Sequence, residues 1–264
     1  MIKVTILGCG GSGGVPLPGG ADNRGFWGAC DPLNPKNRRR RCSVYVEAQG
    51  TRLLIDTAPD LREQLLDNGL CGADAVLYTH DHADHCHGID DLRGLNFLAN
   101  AALPAYGSPE TMADLERRFS YVFAPLRAEH GHYKPTLTAH SVAPGVPFTV
   151  GNAEILSFYQ NHGRVRSTGY RIGGFAYSTD TNGFPAESEP YLENLDVWVV
   201  DCLQEAPHYS HAHLDLTLSW IARLKPKRAI LIHMNQTLDY ETLRAKLPEN
   251  VEPAYDGMVI DCGL

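Results

Sequence analysis

Three imidazoles and a carboxylate of the kind that bind metal ions lie close together in one short segment. Residues 79–85 read THDHADH and directly follow an apolar stretch, Ala75–Tyr78, which predicts a buried strand. Neutral imidazole nitrogens and carboxylate oxygens are ligands of Zn²⁺, Mn²⁺ and Fe²⁺. So many charged or imidazole groups beside a buried strand are hard to solvate without a cation. The segment therefore predicts a metal site, with the first two histidines facing one ion and Asp84 and His85 facing another.

Three later apolar runs each end in one further ligand-type side chain, namely His162, Asp180 and His233. The carboxyl ends of neighbouring strands present side chains to a common edge of a sheet. Each of these residues taken alone could be a buried polar group with an ordinary hydrogen bond. As a set with residues 79–85, they predict that two metal ions are bound at one edge.

Strands and helices alternate along the chain in a way that can position these groups. Alternating or continuous apolar runs predict strands at 2–7, 43–47, 52–55, 75–78, 154–159, 167–172, 175–179, 197–200 and 228–232. Amphipathic spacing predicts helices at 60–67, 89–98, 109–119, 214–224 and 240–247. The Pro- and Gly-rich segment 15–41 is expected to be a long functional loop, and the insertion 121–135 is a candidate lid, with His130 and His132 facing substrate. No linker or repeat divides the chain, so a single domain over residues 1–264 is predicted.

The order and spacing of these ligand-type residues resemble the metallo-β-lactamase superfamily across nearly the whole chain. The residues that carry the resemblance are His80, His82, Asp84, His85, His162, Asp180 and His233. The resemblance implies an α+β fold, a four-layer αββα sandwich with the metals at one open edge of the two sheets. It also implies how the ligands divide: His80, His82 and His162 on the first ion, Asp84, His85 and His233 on the second, and Asp180 between them. Asp56 matches an aspartate that orients a ligand histidine in this superfamily.

Within the superfamily, the chain is most similar to the phosphoribosyl 1,2-cyclic phosphodiesterase branch. The segments GCGGSGGVP at 8–16, RRRCS at 39–43 and SHAHL at 210–214 carry this likeness. In that branch a histidine just ahead of a late helix is the general acid, and His211 occupies this place. His213 is then expected to assist in binding substrate or to start the helix. Asp84 is expected to be a catalytic residue together with His211.

The chain also departs from that branch. Relatives carry a cysteine cluster that holds a separate structural zinc, whereas the segment WGACDP at 27–32 retains only Cys30, and Gln236 stands where a histidine would be. We therefore predict no structural zinc, and the departure weakens any claim to the same substrate.

Two basic features are ambiguous at the level of sequence. Arg93 is a candidate to bind a substrate phosphate, although an ion pair with Asp90 or Asp91 is the simpler explanation. The run Arg38–Arg41 can attract an anionic substrate or act as a structured loop end.

Composition limits the partners. The chain has 264 residues, of which 43% are hydrophobic, and its net charge of −8 argues against a broad nucleic-acid-binding face. Seven cysteines at wide spacings, without a Cys-x-x-Cys pair, indicate free thiols. No signal-like start or apolar run long enough for a membrane span is present, so a cytoplasmic protein is expected. Homodimerisation is left open.

The sequence thus predicts a phosphodiesterase with two divalent ions, Zn²⁺ or Mn²⁺, acting on a small cyclic or nucleotide or sugar phosphodiester. A hydroxide that bridges the ions would attack phosphorus, and His211 would protonate the leaving group. Two alternatives remain: a thioester hydrolase of the glyoxalase II type, which shares the seven ligands but not the Ser210-His211 element, and a metal-bearing binding protein without turnover.

Overall fold

Fourteen strands form two sheets of seven in the part of the chain that the computed structural model describes, residues 1–126 and 133–263. The strands are β1 (Ile2–Gly8), β2 (Ser43–Ala48), β3 (Thr51–Ile55), β4 (Ala75–Leu77), β5 (Leu103–Gly107), β6 (Leu137–Ser141), β7 (Pro147–Val150), β8 (Ala153–His162), β9 (Val165–Ile172), β10 (Phe175–Ser178), β11 (Val197–Asp201), β12 (Arg228–Ile232), β13 (Val251–Pro253) and β14 (Val259–Cys262). The helices are α1 (Leu61–Asp67), α2 (Ala83–Cys86), α3 (Leu92–Ala99), α4 (Pro109–Arg118), α5 (Ser120–Phe123), α6 (Leu214–Leu224) and α7 (Tyr240–Arg244).

Both sheets are mixed. The first sheet has the order β14-β1-β2-β3-β4-β5-β6, antiparallel up to β3 and parallel from β3 to β6. The second has the order β13-β12-β11-β10-β9-β8-β7, parallel from β13 to β10 and antiparallel from there to β7. The parallel halves bring the carboxyl ends of several strands to one edge of each sheet.

The main core lies between the two sheets. Side chains such as Val46 and Ile55 from the first sheet join Phe158, Tyr177 and Val199 from the second in one buried cluster. Helices α6 and α7 contribute to the same cluster through residues that include Trp220 and Leu243, and they cover the second sheet. A separate cluster joins the other face of the first sheet to α1, α3, α4 and α5. The layers are therefore helix, sheet, sheet and helix, which confirms the predicted αββα sandwich.

The predicted elements are mostly present, with differences at their ends. Helix α7 ends at Arg244, before the predicted boundary at 247, and β8 continues to His162, beyond the predicted boundary at 159. The strands β5, β6, β7, β13 and β14 were not predicted. The lid candidates His130 and His132 lie outside the described residues. None of the helices described is long and apolar enough to cross a membrane.

Candidate metal centre

Segment 79–85 follows the carboxyl end of β4 as a short loop and then enters the one-turn helix α2, which begins at Ala83. Thr79 is fixed to Asp56, at the end of the neighbouring β3, because its backbone N–H and its hydroxyl each donate to one carboxylate oxygen at 2.8 Å. Asp84 and His85 lie on α2, so the turn of the helix separates them from the preceding histidines. The strand and this anchor together set the direction of the ligand-type side chains.

One group of potential ligand atoms comes from both sheets. The nitrogens or oxygens of His80, His82, His162 and Asp180 all lie within 4.8 Å of one another. Nε2 of His162 is 3.3 Å from Nδ1 of His82, and Nε2 of both His80 and His162 is 3.7 Å from Oδ2 of Asp180. Three imidazoles and a carboxylate at this spacing can hold a tetrahedrally coordinated cation.

A second group lies directly beside the first. Asp84, His85, Asp180 and His233 again place their ligand atoms within 4.8 Å of one another. Here it is Oδ1 of Asp180 that is close, 3.0 Å from Nε2 of His85 and 3.4 Å from Nε2 of His233. The two oxygens of Asp180 therefore face the two groups, the arrangement expected of a bridging carboxylate.

The buried nitrogens and the local charges fit divalent cations. Nε2 of His80, His85 and His233 is buried and makes no hydrogen bond. Burial acts to raise the pKa values of Asp84 and Asp180, but His85 and His233 hold both well below the usual range. Burial acts to lower the pKa of His85, yet Asp180, Asp84 and Asp56 raise it well above the usual value. Ionised carboxylates this deep in the protein require a positive charge between them, and metal ions would supply it.

The outer nitrogen of several ligand-type histidines has a fixed partner. Nδ1 of His85 is 2.7 Å from Oδ2 of Asp56, and Nδ1 of His162 donates to the Ser210 carbonyl at 2.8 Å. Nδ1 of His80 lies 3.0 Å from the Thr79 hydroxyl. Partners of this kind fix the ring orientation and the tautomer, and they leave Nε2 to face the site. Asp56 thus contacts a ligand-type histidine, as the resemblance implies.

Three of the polar residues that follow strands have left-handed backbone conformations. The φ angles are +62° at Asp56, +51° at Asp180 and +63° at His233. Non-glycine residues adopt this region at a cost, and such residues concentrate at functional sites where the surrounding structure holds them. Here the conformation turns each side chain out of its strand and toward the other ligands.

His211 adjoins both groups without belonging to either. Its Nδ1 is 3.0 Å from Oδ2 of Asp201, at the end of β11, and its Nε2 is 3.9 Å from Oδ2 of Asp180. Burial acts to lower the pKa of His211, but the Asp201 carboxylate raises it to about 9. The Thr181 backbone N–H also donates to Asp201, at 2.8 Å. Sequence reasoning missed Asp201, although it follows an apolar strand just as the predicted ligands do.

An open pocket of about 390 Å³ lies over these groups, and we call it the central pocket. Its lining residues are Ser12, His82, Asp84, His162, Arg164, Val165, Asp180, His208, Tyr209, Ser210 and His211. The structure does not bring His213 or Arg93 into it. His213 is the residue immediately before α6, with extended backbone, and Arg93 is exposed in the first turn of α3.

The arginine run is largely structural. Arg39 is buried, and its guanidinium donates to the carbonyls of Asn235 and Leu238 at 3.0 and 2.7 Å. It thereby fixes the long loop to the segment that follows His233, and Cys30 lies against the same guanidinium. Arg40 and Arg41 form ion pairs with Asp67 and Asp60.

Comparison with known proteins agrees with this geometry. The β-lactamase superfamily domain matches residues 51–234. A diphosphatase of the PhnP family has a crystal structure that is 33% identical in sequence, with a TM-score of 0.87 over 100% of this chain and 99% of that chain. The Zn²⁺-bound PqqB of Methylobacterium extorquens shares the fold, with a TM-score of 0.77 over 98% and 99% of the two chains at 18% identity.

Curated relatives have several different names. An octanoyltransferase of Porphyromonas gingivalis is 31% identical over 97% of this chain and 51% of its own length. A ribonuclease Z of Methanopyrus kandleri is 27% identical over 59% of this chain and 50% of its own length. The chain thus spans about half the length of these two relatives. With this fold and this match to the family model, the chain belongs to the metallo-β-lactamase superfamily, in the branch that contains the PhnP family.

Proposed function

We propose that this chain is a phosphodiesterase that uses two divalent cations, Zn²⁺ or Mn²⁺, and His211 as general acid to cleave a small phosphodiester. The observation that carries the proposal is His211, held by Asp201 with its Nε2 directed toward Asp180. Relatives named as a diphosphatase and as ribonucleases Z support cleavage at phosphorus.

The two groups described above would each hold one cation. His80, His82 and His162 would bind the first, Asp84, His85 and His233 the second, and Asp180 would contact both. When bound, such cations lower the pKa of a coordinated water and offset the negative charge that develops on the phosphate oxygens. The remaining steps belong to the side chains of the protein.

His211 is placed to protonate the leaving oxygen. As water adds to phosphorus and gives up a proton, the P–O bond to the leaving group breaks and its electron pair stays on the leaving oxygen. The proton on Nε2 transfers to that oxygen, so the group leaves as a neutral alcohol. Asp201 accepts the hydrogen bond from Nδ1–H, fixes the ring and stabilises its charged form. A buried and oriented imidazole of this kind contributes roughly 10²–10⁴-fold to the rate.

The same observation favours a phosphodiester over a thioester. A thiolate is a weak base and departs without a proton, whereas an alkoxide is strongly basic and needs one. A thioester hydrolase would therefore gain little from His211 and Asp201. The octanoyltransferase name describes a relative of which this chain matches 51%, so the name does not assign acyl transfer to the matched half.

The test compares leaving groups. Wild type, His211→Ala and the control His140→Ala, which changes an exposed histidine on β6, are loaded with Mn²⁺ or Zn²⁺ and their metal content is measured. For a diester with an alkyl leaving group, we expect His211→Ala to lose about 10²–10⁴-fold in kcat at unchanged metal content. For p-nitrophenolate, which leaves without a proton, we expect a loss of less than about tenfold.

Equal losses for both leaving groups would remove His211 from the role of general acid. Hydrolysis of a glutathione thioester, with no turnover of any diester, would overturn the phosphodiesterase assignment.

A further inference from the structure

The segment that bears four of the ligand-type residues is held from outside by an arginine of another element. Arg118 is the last residue of α4, and its side chain reaches across to segment 79–85. Its guanidinium donates to the backbone carbonyl of Asp81, to the Asp81 carboxylate at 2.7 Å and to Nε2 of His87 at 2.9 Å. Asp81 lies between two ligand-type histidines, and His87 directly follows α2. One side chain therefore contacts both ends of the ligand-bearing turn.

Buried groups fix the inner side of the same turn. The Thr57 backbone N–H donates to the His85 carbonyl at 2.8 Å, and the Thr57 hydroxyl donates to the Cys86 carbonyl at 3.3 Å. The Cys86 thiol donates to the Asp81 carbonyl at 3.2 Å, the same oxygen that Arg118 contacts. The turn thus has a buried anchor on the side of the sheet and a second anchor toward solvent, where the Arg118 side chain is 27% exposed.

The ion pair between Arg118 and Asp81 lets a cationic side chain orient the turn without opposing divalent cations. A guanidinium alone at this place would repel them, whereas the Asp81 carboxylate offsets its charge. The guanidinium is planar and presents several donors in a fixed fork, so it can bond the start and the end of one turn at the same time. A lysine ammonium is compact and lacks this fork.

We propose that Arg118 is a positioning residue of the metal centre. It fixes the turn so that the first two histidines face one cation while Asp84 and His85 face the other. The turn supplies ligands to both groups, so loss of the Arg118 contacts should weaken the binding of both cations. This inference rests on the proposed function, because it concerns the cations on which that function depends, and it adds a residue that controls their affinity.

The neighbouring arginine provides a matched control. Arg117 lies on the same helix, is 71% exposed and pairs with Asp114 within α4. Wild type, Arg118→Met, Arg118→Lys and Arg117→Met are stripped of metal, and the Kd for Zn²⁺ and for Mn²⁺ is measured by isothermal titration calorimetry. We expect Arg118→Met to raise Kd about tenfold, and Arg117→Met to change it less than about twofold. Arg118→Lys should recover part of the loss.

Two further measurements separate positioning from a general loss of stability. The free metal concentration that gives half-maximal diester turnover should rise about tenfold in Arg118→Met, while kcat at saturating metal stays within about twofold of wild type. His87→Ala removes one contact of the guanidinium and leaves Asp81 in place, so it should raise Kd by a smaller factor. Thermal unfolding in chelator shows whether each metal-free variant is folded. If Arg118→Met does not fold, Arg118→Lys and His87→Ala provide the comparison.

The outcomes separate the two proposals. Unchanged Kd values in the folded variants of Arg118 and His87 would overturn the role of Arg118 and leave the phosphodiesterase assignment intact. A fall in kcat that saturating metal does not restore would also overturn it, because the defect would then not lie in metal binding. If wild type binds no divalent cation, the proposed function itself fails.

Discussion

Asp180 and Asp201, two buried carboxylates of the site, contact different groups. Asp180 is buried and divides its two oxygens between the two groups of ligand-type residues. Asp201 is equally buried but contacts His211 and the Thr181 backbone N–H. One carboxylate would therefore set how the two cations sit relative to each other, and the other would set the orientation of the proton donor.

Replacing Asp201 tests this division. Asp201→Asn keeps the size of the side chain and removes the charge that stabilises protonated His211. We expect kcat for a diester with an alkyl leaving group to fall about 10–100-fold, with bound metal unchanged. Steady-state kinetics and metal analysis measure both quantities, with Asp215→Asn on α6 as the control. Loss of bound metal from Asp201→Asn would instead assign Asp201 to the ligand set.

The ligand-type residues of the site could be predicted from the sequence, whereas the residues that surround them could not. The seven ligand-type residues have a distinctive chemistry and spacing, and the structure brings them together. Arg164 and Tyr209 have no such signal, because an exposed arginine or tyrosine in a turn is common on any protein surface. Only the pairing of β8 with β9 shows that the turn between them, at Gly163 and Arg164, reaches the central pocket.

At the scale of elements, parallel strands from both sheets place their ends at one site. The strands that were not predicted are short, and β5, β7 and β13 each contain a proline. Proline has no backbone N–H to donate to a neighbouring strand, so in a sequence it indicates a turn. The strands β7 and β13 tolerate it because they lie at the edges of their sheet. The strand β8 continues past its apolar part through Gln160 and Asn161, since its hairpin with β9 supplies the hydrogen bonds.

Asn96 joins α3 to the beginning of β6 and allows a test at this scale. It is fully buried, and its amide donates to the carbonyls of Ala101 and Thr136 and accepts from the Thr136 N–H, each at 2.9 Å. Asn96→Ala removes three hydrogen bonds and leaves the buried Thr136 N–H without its acceptor, while the Thr136 carbonyl keeps its bond from the Leu103 N–H. We therefore expect a loss of about 2–4 kcal/mol in the free energy of unfolding. Urea denaturation measures it.

Asn68→Ala is the matched control, because Asn68 is half-buried and makes one side-chain hydrogen bond, to the Gln64 carbonyl. It should cost less than about 1 kcal/mol. A loss as small for Asn96→Ala would show that the α3–β6 connection does not depend on this side chain.

At the scale of the whole molecule, Asp256 couples folding to pH. Burial raises its pKa to about 6, although the backbone N–H groups of Arg40 and Cys9 donate to it. An aspartate in an unfolded chain has a pKa of about 3.9. Between these values the folded protein binds more protons than the unfolded chain, so the stabilisation is complete below pH 4 and is lost as pH rises through 6.

Asp256→Asn should remove this dependence. With divalent ions chelated, we expect the unfolding free energy of wild type to fall from pH 4.5 to pH 7, relative to that of the variant, by on the order of 2 kcal/mol. Urea denaturation of both proteins at each pH cancels the contributions of all other groups. Parallel stability profiles would contradict the raised pKa of Asp256.

Cations should also stabilise the whole fold, since their proposed ligands come from both sheets. At free metal about 100 times Kd, binding at one site adds about 2.7 kcal/mol. For a chain of 264 residues, we expect Tm to rise by roughly 5–10 °C relative to the chelated protein. Asp180→Asn should lose most of this rise. Asp196→Asn, at a half-buried residue that pairs with Lys227 and belongs to neither ligand group, should keep it. An equal rise in both variants would show that the stabilising cations bind elsewhere.

The most direct test of the central claim is anomalous diffraction from crystals grown with Zn²⁺ or Mn²⁺. Two strong peaks are predicted, one about 2.0–2.2 Å from nitrogens of His80, His82 and His162, and the other at similar distances from Asp84, His85 and His233, with Asp180 between them. A single peak, or peaks away from these side chains, would contradict the account.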